Sequence, residues 1–182
     1  MGRENQPRLH CKPPYYRDSY GFTLLELLIV VSVVMVLIGA AAPSFSSLIE
    51  SEKVRRLATE LEWLMVQAKS EAVMRGSSVV MSSNSVPEIG STSTLTWTIT
   101  ATDTVTNTIL SQISGEPYRG VDIYRTFNSE NIFFDPLTGR PNKDGSYAFS
   151  IDGQQEVKVS IRLMTGRVFI CGESGAYGYA AC

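Results

Sequence analysis

A long apolar run near the N-terminus, broken by a single carboxylate, constrains this chain more than any other feature. The run extends from Phe22 to Ala42 and contains one charged residue, Glu26. As a helix, its 21 residues would span roughly 31 Å at ~1.5 Å per residue, close to the ~30 Å hydrocarbon core of a bilayer. A carboxylate inside a membrane-spanning segment is costly, so its presence indicates a specific role.

The residues that precede the run carry net positive charge. Residues 1–21 contain four basic and two acidic side chains, which gives this leader a net charge of +2. Positively charged flanks remain on the cytoplasmic side of a membrane. We therefore expect a cytoplasmic leader, a single membrane span, and export of everything after Ala42.

Two other interpretations of the run fit the residues less well. A secretory signal peptide could use Ala40-Ala41-Ala42 as its cleavage site, but the apolar region of such a peptide has only ~7–15 residues. Pro43 directly after that site is also unfavourable. A plain membrane anchor would explain neither Glu26 nor the glycine–phenylalanine junction before it.

The composition of the exported part excludes several kinds of catalytic and metal site. The only histidine is His10 in the leader, so no Ser-His-Asp, Cys-His or histidine-metal arrangement is available after it. Glycine-rich phosphate loops and Cys-x-x-Cys motifs are also absent. Without the leader the net charge of −2 becomes −4, which does not favour nucleic-acid binding. We expect no enzymatic activity, no metal and no cofactor.

The cysteines divide between the two sides of the expected span. Cys11 lies in the leader, whereas Cys171 and Cys182 lie on the exported side, where disulfides form and persist. We predict a Cys171–Cys182 bond that ties the C-terminal tail to the last strand. The alternative is a pair of unrelated thiols.

Helical periodicity continues beyond the apolar run. Between positions 54 and 72, apolar residues recur at helical steps of three and four, and the opposite face is charged. Gly76 is a helix stop, and Pro43 predicts a kink. We expect a transmembrane half of the helix at 22–42 and an amphipathic half at 43–76.

After the helix the pattern changes to alternation, typical of antiparallel strands. Turn signals such as Asp152-Gly153 and Thr165-Gly166 separate the alternating runs. Strands are expected at 78–81, 95–101, 121–123, 132–134, 147–151, 157–163 and 168–170. Segments 82–93 and 111–120 are expected to be loops. The expected fold class is α+β, with a long N-terminal helix packed on an antiparallel, two-sheet domain at 77–182.

The junction from Gly21 to Glu26 resembles the type IV prepilin signal, which pilins share with the pseudopilins of type II secretion. The resemblance implies that prepilin peptidase cuts after Gly21, that the new N-terminal Phe22 is N-methylated, and that Glu26 guides assembly. In a filament, Glu26 could pair with the free amine of a neighbouring subunit's Phe22. Pairing would matter because a buried, unpaired carboxylate is strongly unfavourable.

Three further segments resemble the GspH/FimT branch of minor pilins and pseudopilins. They are the helix end at 67–76, the turn Phe134-Asp-Pro-Leu-Thr-Gly-Arg140, and the closing hairpin at 159–168. The resemblance implies a minor subunit of a type IV pilus, incorporated near the filament tip and helping to initiate assembly. The main alternative is an H-type minor pseudopilin of a type II secretion system.

The same resemblance implies partners and a location. The expected partners are other pilins or pseudopilins through the N-terminal helix, the prepilin peptidase, and an inner-membrane assembly platform. The expected location is the inner membrane with a periplasmic C-terminal domain, followed by incorporation into the filament.

A DNA-binding competence pilin is a further alternative. Some members of this branch bind DNA through a Gly-Arg-x-Arg turn in the closing hairpin, whereas this chain has Gly166-Arg167-Val168-Phe169. A phenylalanine in place of the second arginine cannot neutralise a phosphate. The candidate contacts are Arg167, Arg162 and Lys158, and DNA binding is not the favoured function.

Overall fold

A computed structural model describes residues 21–89, 96–151, 153 and 155–182, without the side chains of residues 41–44. The leader predicted at residues 1–21 therefore lies outside the described residues, except for Gly21. Residue contacts divide the chain into two units, Met1–Ala42 and Pro43–Cys182. The four segments expected from the sequence, 1–21, 22–42, 43–76 and 77–182, stay predictions.

The longest element is helix α1, which extends over Leu24–Arg75. It ends where Gly76 takes a φ of +60°, a left-handed conformation that glycine adopts without a steric penalty. The N–H of Gly76 donates to the carbonyl of Val73 at 3.3 Å, which closes the last turn. Because the side chain of Pro43 is outside the described part, the kink expected there stays a prediction.

In the described residues, eight strands follow α1 and form two antiparallel sheets of four strands each. Their bounds are β1 Val79–Asn84, β2 Thr98–Asp103, β3 Ile109–Ser114, β4 Asp122–Arg125, β5 Asn131–Phe134, β6 Gly145–Ile151, β7 Gln155–Ile161 and β8 Val168–Gly172. The first sheet has the order β3-β2-β1-β5 and the second β4-β6-β7-β8. The α+β, two-sheet fold class expected from the sequence is confirmed.

One apolar core joins α1 to both sheets. The buried stripe of the helix, at the spacing that the sequence predicts, consists of Val54, Leu57, Ala58, Leu61, Leu64, Met65, Ala68 and Ala72. The strands contribute alternate side chains; in β7, for example, Val157, Val159 and Ile161 are buried. The core therefore lies wholly within residues 43–182.

The structure corrects both predicted loops. Residues 111–120 do not form one loop, because β3 occupies Ile109–Ser114 at the edge of the first sheet. Its serines and glutamine mask the alternation, and Ile113 is its one buried residue. Residues 82–84, assigned to the other loop, belong to β1, where the buried hydroxyl of Ser83 donates to the carbonyl of Glu130 at 2.9 Å.

The strand expected at 157–163 lies two residues earlier in the chain, at Gln155–Ile161. β7 ends at Ile161, and Leu163 is exposed in the turn that follows. The N–H of Leu163 donates to the carboxylate of Asp144 instead of continuing the ladder. Alternation in the sequence therefore continues past the point where strand pairing stops.

Arg125 on β4 ties the segment after β1 to the second sheet. Its side chain is buried, with Nε donating to the carbonyl of Val86 at 3.1 Å and Nη1 to that of Phe127 at 2.7 Å. Nη1 also contacts the carboxylate of Glu88 at 3.0 Å. The buried guanidinium is thus held by two carbonyls and one partly exposed carboxylate.

Candidate functional sites: the helix N-terminus and the closing hairpin

The first turn of α1 is capped by Thr23. Its Oγ1 accepts the N–H of Glu26 at 3.2 Å, and its carbonyl accepts the N–H of Leu27 at 3.2 Å. Threonine followed three residues later by glutamate is the spacing of a helix-capping box. Thr23 was not among the site residues predicted from the sequence, although this spacing could have identified it.

The N-terminal part of α1 presents an apolar surface all around. Every described side chain from residue 21 to residue 40 is exposed, and Phe22 is 79% exposed. Among the described residues, no single helix has the length and hydropathy of a membrane span, whereas Leu24–Ala40 and Phe45–Arg75 meet that criterion as a pair. An apolar helix surface of this size requires a lipid or protein partner.

The cleavage and assembly residues lie together at this helix start. Gly21 and Phe22 precede the first helical residue, and Glu26 lies in the first turn with its side chain exposed. A carboxylate in a first turn interacts favourably with the helix dipole. The described residues include no ion pair of Glu26, so its pairing with a neighbouring subunit stays a prediction.

The C-terminal tail is fastened to β8 by the Cys171–Cys182 disulfide, which confirms the predicted pairing. Backbone hydrogen bonds accompany it: the N–H of Gly172 donates to the carbonyl of Ala180 at 2.9 Å, and the N–H of Cys182 to that of Gly172 at 3.3 Å. The tail is therefore bound along part of its length and not by the disulfide alone.

The closing hairpin gathers two of the three predicted DNA contacts around one ring. The guanidinium carbons of Arg162 and Arg167 lie 5.5 Å and 5.8 Å from the ring centroid of Phe169, within the range of cation–π contacts. Phe169 is half-buried, so its ring is part of the sheet surface. The arginines are thus positioned by an aromatic side chain, and DNA contact stays a prediction.

Lys158, the third predicted contact, has an acidic partner. Its Nζ lies 2.7 Å from the carboxylate of Glu156, which also accepts a hydrogen bond from the hydroxyl of Tyr124. Burial and the adjacent Glu156 carboxylate raise the pKa of Tyr124, so this hydroxyl stays protonated as a donor. A paired ammonium is a weaker phosphate ligand than a free one, which disfavours Lys158 as a DNA contact.

Two turns of the domain have the same design. In Leu137-Thr138-Gly139-Arg140 and Met164-Thr165-Gly166-Arg167, the threonine Oγ1 accepts the arginine N–H at 3.3 Å and 3.2 Å respectively. Both glycines have left-handed φ values, +63° and +62°. We call these two segments the twin turns.

The twin turns meet at Lys69 of α1. Lys69 Nζ donates to the carbonyl of Gly166 at 3.1 Å, and a Cβ placed on Gly139 would lie 2.8 Å from Lys69 Cγ. The three segments that resemble one family in sequence are therefore neighbours in space. Their separation along the chain conceals this, although the repeated Thr-Gly-Arg was visible in the sequence.

The described residues contain no group of three or more cysteine, aspartate, glutamate or histidine side chains arranged to hold a metal ion. Asp135, which precedes the first twin turn by two residues, is engaged locally. Its carboxylate accepts the N–H groups of Leu137 and Thr138 and the hydroxyl of Thr138. These hydrogen bonds, led by the hydroxyl, lower the pKa of Asp135.

Comparison with known proteins finds two family models and one solved fold that match this chain. The family model described as type II transport protein GspH matches residues 57–166, and the model of the prokaryotic N-terminal methylation motif matches residues 16–42. No curated protein matches the sequence. A crystal structure of the type IV minor pilin FimU from Pseudomonas aeruginosa PAO1 is similar in fold, with a TM-score of 0.52 and 16% identity over 65% of this chain and 88% of FimU. The structure of FimU in a second crystal form gives a TM-score of 0.48 and 15% identity over 64% of this chain and 90% of FimU.

Proposed function

Because this chain belongs to the GspH family of type II transport proteins, we propose that it enters a type IV filament near its tip and helps to initiate assembly. Its broader class is that of a minor pilin or pseudopilin of a type IV pilus or type II secretion system. The observation that carries the proposal is the N-terminal methylation motif at residues 16–42 in the same chain as a GspH-type domain.

We propose that processing occurs between Gly21 and Phe22. The methylation motif includes this junction. Support also comes from the helix start, since α1 begins at Leu24 and leaves the two residues outside the helix. A peptidase acts on extended chain, and methylation of Phe22 would follow at the new amine.

Glu26 is proposed to align the subunit during assembly by pairing with the N-terminal amine of a neighbour. Its position in the first helical turn of an otherwise apolar surface supports this role. In the filament interior an unpaired carboxylate would be strongly unfavourable, so the pair selects one axial register. We expect Glu26→Ala to insert and be cleaved, yet to be nearly absent from sheared filaments by immunoblot.

The matched control for this experiment is Glu26→Asp, which keeps the charge and shortens the side chain by one methylene. We expect it to be cleaved normally and to recover part of the incorporation. Incorporation of Glu26→Ala at the level of the unchanged chain would rule out the docking role. Failure of cleavage would instead indicate a defect before assembly.

A separate question is whether the subunit serves a type IV pilus or a type II secretion system. The family description, type II transport protein, favours the secretion system as the alternative. Both machines use one type of signal and one helix design. Deletion of this subunit should abolish twitching and surface pili if it serves a pilus. Retention of exported enzymes, with pili intact, would instead assign it to type II secretion.

The proposed role requires no catalysis and no cofactor. Its partners would be other pilins or pseudopilins, the prepilin peptidase and the inner-membrane platform, and its domain would face the periplasm. DNA binding is not favoured, because Lys158 is paired with Glu156 and the hairpin carries Phe169 in place of a second arginine. Absence of a gel shift at low salt with residues 43–182 would exclude it.

A further inference from the structure

The twin turns form an exposed surface at the end of the domain where α1 terminates. Their apolar tips project into solvent, with Leu137 86% and Met164 74% exposed, and Met74 of the adjacent helix end is 72% exposed. Arg140 and Arg167 are exposed beside the tips. We call these five residues the twin-turn surface.

Acidic residues at this end are already engaged within the domain. Asp135 is bonded within its own turn, Glu71 pairs with Arg75 at 2.5 Å, and Asp144 accepts the N–H of Leu163. Among the described residues, neither Arg140 nor Arg167 has a salt bridge within 4.0 Å. The twin-turn surface therefore presents exposed apolar groups with a cationic rim of two guanidinium groups, of which that of Arg140 also interacts electrostatically with the Asp135 carboxylate.

The opposite end of the domain has the complementary charge. There, Glu50 and Arg55 line a groove with Gln155, and Glu173 lines an adjoining groove with the same glutamine. This Glu50 end lies roughly 20 Å from Lys69, since Lys69 follows Arg55 by 14 helical steps of ~1.5 Å each. In the described part of the chain, its exposed acidic residues outnumber its exposed basic ones: Glu50, Glu52, Glu116, Asp122 and Glu173 against Arg55, Arg56 and Arg119, with Lys53 half-buried.

We propose that the twin-turn surface docks the Glu50 end of a neighbouring pilin-type subunit. The inference rests on the proposed function, because a subunit of a filament has another subunit beyond its end. A neighbour of the same fold whose corresponding end carries the same acidic excess would match this surface in charge. Leu137 and Met164 would be buried by the contact, and the arginines would face its carboxylates.

The apolar tips and the arginines would contribute differently to this contact. Burial of exposed aliphatic tips supplies the affinity, because removal of apolar surface from water is the main driving force of association. The rim charges orient the neighbour and reject a cationic one, since exposed ion pairs add little affinity. The contact is directional, so it joins unlike ends and extends along an axis.

The test uses the full-length chain in its native envelope, with the photoreactive residue p-benzoylphenylalanine in place of Leu137. We expect crosslinks to a pilin-type subunit, at a peptide just beyond that subunit's apolar N-terminal segment. Ile89, which is 67% exposed between β1 and β2, is the matched control position. It should not label that peptide.

A second variant tests the charge complementarity. Arg140→Glu combined with Arg167→Glu should lower the yield of the Leu137 crosslink about fivefold, as expected for the loss of two exposed ion pairs. The equivalent change Arg119→Glu, at the other end, should not alter it. Disulfide formation on a non-reducing gel verifies that each variant has folded.

The outcomes separate this inference from the proposed function. A photoreactive residue at Leu25 reports filament membership independently of the twin turns. Pilin crosslinks from Leu25 without any from Leu137 would overturn the inference and leave the function intact. The absence of pilin crosslinks from both positions would remove the function as well. Crosslinks from Leu137 to lipid or nucleic acid would also overturn the docking surface.

Discussion

At the scale of single residues, Lys69 shows how one side chain can connect distant parts of the chain. Its stem packs against the backbone of Gly139, and its ammonium donates to the carbonyl of Gly166 at 3.1 Å. A lysine commonly contributes both its apolar stem and its charged end in this way. The two glycines are required because a side chain at either position would meet the lysine.

The glycine requirement gives the first prediction. Gly139→Ala should lower the free energy of unfolding of residues 43–182 by about 2–4 kcal/mol, because a left-handed alanine is strained and its Cβ would also overlap Lys69. Gly153 is the matched control, since its φ is +66° and no atom that the structure describes outside its chain neighbours lies within 4 Å of a Cβ placed there. Gly153→Ala should cost only about 1 kcal/mol. Equal losses in urea unfolding would show that Lys69 packing is irrelevant.

Asp135 gives a prediction about pH. Its pKa is lowered in the folded domain by the Thr138 hydroxyl and by backbone N–H groups. Because the folded domain favours the ionised carboxylate, this group stabilises the folded state. The stabilisation is fully present above the pKa of the unfolded chain, about 3.9, and is lost as the pH falls through the pKa of the folded domain. Asp135→Asn should therefore destabilise the domain at pH 7, and the difference should shrink below about pH 4. Urea unfolding between pH 7 and 3 measures this, and a pH-independent difference would contradict it.

At the scale of elements, the strands differ in how clearly their sequences identify them. β7 has three fully or almost fully buried apolar residues at alternate positions, so its pattern is unambiguous. β3 lies at a sheet edge, is polar, and buries only Ile113. An edge strand is defined by pairing with its neighbour more than by burial, which explains why alternation did not predict it.

The tail after β8 gives an element-scale prediction. The closed segment between Cys171 and Cys182 has a sequence separation of 11. Cys182→Ser should lower the free energy of unfolding by about 2–3 kcal/mol through the loss of loop closure. Reductant should lower the stability of the unchanged chain by a similar amount and leave the variant unaffected. Equal sensitivity of both chains to reductant would contradict the prediction.

At the scale of the whole molecule, the two sheets are joined by polar contacts as well as by the shared core. Arg125 of the second sheet holds the segment after β1, which belongs to the first. Removal of its guanidinium would leave the carbonyls of Val86 and Phe127 without that donor. A buried polar group without a partner is costly, so the consequence should be measurable.

We expect Arg125→Leu to lower the free energy of unfolding by about 1–3 kcal/mol. Amide hydrogen exchange of Val86 and Glu88 should also increase, because the side-chain part of their tether to β4 is lost, although the backbone N–H of residue 125 still donates to the carbonyl of Pro87. Glu88→Gln is the control, since it keeps both carbonyl contacts and alters only a partly exposed carboxylate. It should cost less than about 1 kcal/mol. Unchanged exchange in Arg125→Leu would show that the tether has no structural effect.

The sequence alone was sufficient for features that depend on near neighbours or on covalent chemistry. The apolar run with Glu26, the buried helical stripe, most strands and the pairing of Cys171 with Cys182 follow from periodicity and from a count of exported cysteines. The meeting of the twin turns at Lys69 and the placement of Arg162 and Arg167 around Phe169 required the tertiary structure. Lys69 and Gly166 are 97 residues apart, and their contact exists only because the core packs α1 and both sheets together.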